Sequence, residues 1–177
     1  MKFFTFFFLV VIALGLVYPG SAQEGQQTFT VKKSDSKTIL IGQLTPRDIW
    51  DHLPEWYADF MIYQPDSHIV AQLADIQEDF RILCVLGTWC SDSRDGVPPF
   101  LKSIAEANNP HLQVELYGVG RENRDSLSIY LTYKIERVPT FVILYENQEI
   151  GRMVETPEET FAADLLKLIT QRRAHEK

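Results

Sequence analysis

The run Phe80-Arg81-Ile82-Leu83-Cys84-Val85-Leu86 constrains this chain most, because it is apolar at every position but Arg81. A strand with one face in water alternates apolar and polar residues. One as uniformly apolar as this is buried on both faces, with other elements packed above and below it. Gly87 and Thr88 end the run, and a helix is expected from near Cys90 past Ile104, stopped by Asn108-Asn109-Pro110. A strand over Leu112 to Val119, a helix over Arg124 to Tyr133 and a strand over Phe141 to Tyr145 follow. Glu146-Asn147-Gln148 turns the chain back into a hairpin partner, Ile150 to Val154. Pro157-Glu158-Glu159 opens a last amphipathic helix through Phe161, Leu165, Leu168 and Ile169. The order βαβαββα specifies an α/β domain with a mixed central sheet flanked by helices.

Upstream of this alternation the pattern is mostly helical. Phe29 to Lys33 and Thr38 to Ile41 read as short strands around Ser34-Asp35-Ser36. Thr45-Pro46-Arg47-Asp48 is a helix start, with a capping threonine, proline in the first turn and an acid three residues after the cap. The stripe Ile49, Leu53, Trp56, Tyr57, Phe60 continues it, and Pro54 predicts a kink or two short helices. Pro65-Asp66-Ser67 opens another helix with Ile69, Leu73 and Ile76 on one face. With 177 residues the chain is long enough for one domain and short for two. Residues 23–79 are expected as an N-terminal extension whose helices pack on a core of residues 80–177. Before them, Lys2, the apolar run Phe3 to Val17 and the small residues up to Ala22 have the layout of a secretory signal peptide over residues 1–22. That run is shorter than the ~20 residues of a membrane span. The mature chain is therefore expected to be exported, periplasmic or extracellular, with no stable membrane insertion after cleavage. Its first residues, Gln23 to Gln27, are polar and read as a loose start.

The formal net charge is −7, which argues against nucleic acid and anionic lipid as partners. There are only two cysteines, Cys84 and Cys90, too few for a disulfide scaffold or a structural zinc site. His52, His68, His111 and His175 show no ligand spacing. No metal site and no cofactor are expected.

The segment Trp89-Cys90-Ser91-Asp92-Ser93 joins the buried strand to a helix. A cysteine in a first helical turn sits where unpaired N–H groups and the helix dipole favour an anion, and the thiolate is the reactive form of the side chain. Ser93, one turn on, is placed to donate its hydroxyl to that sulfur. On these residues alone, Cys90 is either a nucleophile or an inert packing cysteine.

The surrounding residues narrow that choice, because the chain resembles the thioredoxin superfamily. Trp89-Cys90 stands at the strand-to-helix junction where that family has its Trp-Cys, and Pro98 stands where its active-site helix carries a proline. Tyr133-Lys134-Ile135-Glu136-Arg137-Val138-Pro139-Thr140 is similar to the approach to the family's cis-proline, and Phe141 to Gln148 to the strand and turn after it. The resemblance covers roughly Phe80 to Ile169. It implies a thioredoxin-like fold with an N-terminal helical extension, with Pro139 packed beside the Cys90 sulfur. It also implies that Trp89, Val138 and Pro139 help bind an extended substrate strand. Three departures matter. Ser93 replaces the resolving cysteine, so Cys90 cannot form the usual internal disulfide. Asp92 places a negative charge near the sulfur, with Arg94 and Arg137 as the cations able to offset it. Cys84 stands where many thioredoxins bury an aspartate, and reads as a small buried hydrophobe. The strand between should hold Cys84 and Cys90 beyond the ~7 Å Cα separation that a disulfide tolerates.

Two functional readings follow. In the first, Cys90, assisted by Ser93, performs monothiol thiol–disulfide exchange on exported proteins that carry disulfides or thiols, and an external thiol or reductase releases it. In the second, the fold is a protein-binding module that has lost redox turnover.

Overall fold

A computed structural model describes residues 29–34, 37–122 and 127–175. The expected signal peptide over residues 1–22, the polar start at 23–27, the hairpin tip at 35–36 and the first residues of the helix expected from Arg124 lie outside the described residues.

The elements run β1 (Phe29–Ser34), β2 (Lys37–Leu44), α1 (Pro46–His52), α2 (Pro54–Ile62), α3 (Ser67–Ala74), β3 (Phe80–Leu86), α4 (Ser91–Ala107), β4 (Leu112–Gly118), α5 (Leu127–Tyr133), β5 (Thr140–Tyr145), β6 (Gln148–Val154) and α6 (Phe161–His175). Among the described residues the strands form one six-stranded sheet in the order β1-β2-β4-β3-β5-β6. The uniformly apolar β3 lies inside it, parallel to β4 and antiparallel to β5. The sheet is therefore mixed, and helices flank it. The N-terminal extension is not only helical, because the β1–β2 hairpin joins the sheet by pairing Gly42 to Leu44 with β4.

Strand side chains point alternately to the two faces, which divides the core. Phe80, Ile82, Cys84 and Leu86 point to the larger cluster, with Ile49, Trp56, Leu73, Phe100, Phe141 and Leu165 from the helices and neighbouring strands. Leu83 and Val85 point to the smaller cluster with Val119, Ile135, Val138 and Val142, against which Trp89, Cys90 and the α5 tyrosines pack.

Local chemistry sets the helix ends. Thr45 and Asp48 cap α1 reciprocally: Asp48 N–H donates to Thr45 Oγ1 at 3.2 Å and Thr45 N–H to Asp48 Oδ2 at 2.7 Å. Pro54 starts a new helix, so the segment is two short helices. Asp66 caps α3 through the N–H of His68 and Ile69. The last helix begins at Phe161 and not at Pro157. Thr160 Oγ1 accepts from Ala163 N–H at 3.1 Å, while Asp164 draws the Glu158 N–H to its carboxylate at 2.7 Å and keeps residues 157–159 irregular. At the end of α4, Asn108 takes a left-handed conformation. Buried Asn109 donates to Leu73 O and Ile76 O, each at 2.8 Å, and so ties α4 to α3.

Candidate active site

The site forms where β3 runs out of its sheet. Beyond Leu86 the chain turns, with Cys90 N–H donating to Gly87 O at 2.9 Å. Gly87 has no side chain for a spatial reason, since a Cβ there would lie 2.8 Å from Cε2 of the Trp89 indole. That indole donates from Nε1 to Val119 O at 2.9 Å, and the Arg121 guanidinium lies 5.3 Å from its ring. Thr88 reaches the other way: its hydroxyl donates to Thr38 O at 2.9 Å and accepts from Leu40 N–H at 3.1 Å. Lys37 Nζ adds a bond to Trp89 O at 3.1 Å. The part of β2 that does not pair with β4 is thus fastened to the turn carrying Cys90. Thr88 and Lys37 escape sequence reasoning, because their partners are about fifty positions away in the chain.

Cys90 is the N-cap residue of α4, just before its first turn, and its side chain makes no cap hydrogen bond. Its half-buried Sγ instead donates to Val138 O at 3.3 Å. The Val138–Pro139 peptide bond is cis, and both residues are buried. Glu155 N–H donates to Pro139 O at 2.8 Å, and Thr140 Oγ1 to Arg137 O at 2.7 Å, so this loop is held from both sides. Trp89, Cys90, Val138 and Pro139 therefore come together.

Ser93 does not take the role expected from its spacing. Its hydroxyl is fully buried on the sheet side of α4 and accepts from Gly87 N–H at 3.2 Å. Among the described residues no hydrogen bond joins it to Cys90 Sγ, which faces the cis-proline loop instead. Ser93 braces the turn. The two cations expected to offset Asp92 are also committed elsewhere: Arg94 pairs with Asp59 at 2.9 Å and Arg137 with Glu155 at 2.7 Å. Asp92 is exposed, and its carboxylate accepts from Ser91 Oγ at 3.4 Å. A cleft of about 350 Å³ opens beside Cys90, walled on its far side by Lys37, His52 and Glu55. The extension thus contributes one bank of the site.

Cys84 is fully buried in the larger core cluster, and both cysteines are free. Burial pushes the Cys84 thiol well above its ordinary range. In native protein at neutral pH an alkylating reagent is expected to label Cys90 and leave Cys84 unmodified until the chain unfolds. Equal labelling rates by mass spectrometry would contradict this placement.

A profile of the family described as thioredoxin matches residues 45–167. The chain belongs to the thioredoxin family. The matched region starts at the α1 cap, well before Phe80, so the family portion includes α1 to α3. Among solved structures, a protein of unknown function from Pseudomonas aeruginosa is 16% identical, with 67% of this chain and 82% of that chain covered and a TM-score of 0.53. An HIV epitope scaffold is 18% identical over 67% and 82% of the two chains, with a TM-score of 0.51. The Drosophila thioredoxin Deadhead is 20% identical over 59% of this chain and 89% of that one, with a TM-score of 0.39. Comparison with curated proteins gives no match. At these identities the first two solved structures speak for a shared fold alone, and the family match together with the mixed, helix-flanked sheet makes it the thioredoxin-like α/β fold. Among the described residues no group of three or more histidine, cysteine or acidic side chains is placed to hold a metal, and no helix is long and apolar enough to cross a membrane.

Proposed function

We propose that the chain is an exported monothiol thiol–disulfide exchange protein. The Cys90 thiolate attacks one sulfur of a substrate disulfide. The substrate S–S bond breaks, an S–S bond to Cys90 forms, and the second substrate sulfur leaves as a thiolate that takes up a proton. The observation that carries this reading is the bond from Cys90 Sγ to Val138 O at the cis-proline loop. That bond needs the thiol proton. A thiolate or a mixed disulfide has none, so reaction at Cys90 frees the Val138 carbonyl to accept an N–H from an extended substrate strand. Trp89 and Pro139 flank the same position. Ser93 carries no thiol, so release needs a second one from outside. If the substrate supplies it, the result is isomerisation; if a separate thiol or reductase supplies it, the result is reduction.

A second reading, a binding module without turnover, draws on Asp92, whose carboxylate has no ion-pair partner among the described residues. One experiment separates them. Incubation of the mature protein with disulfide-containing exported proteins is expected to give adducts on non-reducing gels that vanish with reductant and with Cys90→Ala. Capture of the same partners by wild type and Cys90→Ala alike, without reducible adducts, would replace exchange by binding.

A further inference from the structure

We propose that a cleft beside α4 binds a lysine or arginine side chain of the substrate, close to the disulfide that Cys90 attacks. This rests on the exchange reading and names its substrate class. The cleft encloses about 300 Å³ between the first turns of α4 and the segment from β6 to α6. Its floor is apolar. Phe100 and Phe161 are buried there, and the Phe161 ring lies so close to Gly96 that a Cβ on the glycine would stand 2.3 Å from Cε2. Its rim is acidic, formed by Asp92, Asp95, Glu155 and Glu159. Glu155 is paired with Arg137, whereas Asp92, Asp95 and Glu159 form no close ion pair among the described residues, Arg94 and Lys167 acting on Asp95 and Glu159 only at longer range.

An apolar floor under a carboxylate rim suits one kind of side chain, a long aliphatic stem with a cationic head. An acidic side chain would be repelled, and a purely apolar one would leave the rim unpaired. The cleft also continues the substrate-binding face. One edge is Glu155, whose N–H holds Pro139 O at 2.8 Å, and the other is Asp92, in the first turn after Cys90. A strand laid along the cis-proline loop with its sulfur at Cys90 passes the mouth of the cleft. The net charge of −7 favours the same class of partner.

Two measurements test this. The first needs no exchange: Cys90→Ala protein is titrated with short peptides in which serine replaces the reactive cysteine and a neighbouring residue is lysine, arginine, glutamate or norleucine. The lysine and arginine peptides are expected to shift the Gly96 and Ala162 amide resonances, binding on the order of tenfold tighter than the other two. High salt and the Asp95→Asn/Glu159→Gln variant should erase the preference. In the second, the peptide cysteine is linked to a nitrothiobenzoate. Cys90 loses its proton to solvent and attacks the peptide sulfur, the coloured arene thiolate leaves, and a peptide–Cys90 disulfide remains. The lysine peptide should react on the order of tenfold faster than the glutamate peptide, with the ratio near unity in the double variant. Equal shifts for all four peptides, or shifts away from Gly96 and Ala162, overturn the cleft whatever the rates show. Selective shifts with no release of arene overturn the exchange reading and leave the cleft supported.

Discussion

Replacing Ser93 with cysteine is expected to abolish the accumulation of Cys90 mixed disulfides and to produce an internal disulfide instead. Position 93 lies one helical turn after Cys90, and neighbouring helical positions fall within the roughly 4.4–6.8 Å Cα range that a disulfide accepts. A thiol there attacks the Cys90 mixed disulfide intramolecularly, at an effective concentration of millimolar or more. The lifetime of the adduct should therefore fall on the order of a hundredfold. There is a structural cost. Ser93 Oγ accepts from the buried Gly87 N–H at 3.2 Å, and sulfur is a weaker acceptor, so stability should drop by about 1–3 kcal/mol. Ser93→Ala separates the two effects: it should lose at least as much stability, keep its adducts and leave the alkylation rate of Cys90 essentially unchanged. Non-reducing gels, thermal melts and the mass of alkylated protein read all three outcomes. Adducts of Ser93→Cys as persistent as those of wild type would refute the resolving argument.

The divergence between Ser93 as a sequence position and Ser93 as a placed side chain shows what sequence reading reaches here. Spacing puts residues 90 and 93 on neighbouring turns, but which way the hydroxyl turns depends on Gly87, and that contact exists only once β3 and α4 are assembled. The alternation from Phe80 onward is legible because its signals are local: uniform apolarity for β3, asparagine and proline after α4, and Glu146-Asn147 between β5 and β6, where both residues adopt positive φ, the conformation a tight hairpin turn demands. The start of α6 is misplaced because Pro157 and the acids after it mimic a first turn, while the cap that prevails is Thr160, with Asp164 reaching back to Glu158. Arg94 and Arg137 lie near Asp92 in sequence or across the loop, yet Asp59 on α2 and Glu155 after β6 hold them. Pairings between elements distant in the chain leave no local pattern. The attachment of the N-terminal hairpin to the Cys90 turn through Thr88 is hidden for the same reason.

That attachment underlies the largest expected stability effect, for Gly118→Ala. Gly118 ends β4 in the sheet interior, beside Gly42 of β2 and Leu86 of β3. A Cβ at Gly118 would stand 2.3 Å from Leu40 O, a backbone atom that no side-chain rotation can move. Relief requires β2 to shift away from β4, and forcing extra volume into a packed interior costs about 1–3 kcal/mol. The backbone clash puts this case at the upper end. For a domain of this size such a loss lowers the melting temperature by roughly 6–10 °C. The effect should also reach the site, because Leu40 N–H is the group that donates to Thr88 Oγ1 at 3.1 Å. Displacing β2 loosens Thr88, and with it one bank of the cleft beside Cys90. Hydrogen exchange at Leu40 should accelerate more than exchange in β3 or β5, whose pairing does not involve β2. An unchanged melting temperature, or acceleration spread evenly over the sheet, would mean that the hairpin is not fastened to the Cys90 turn in this way.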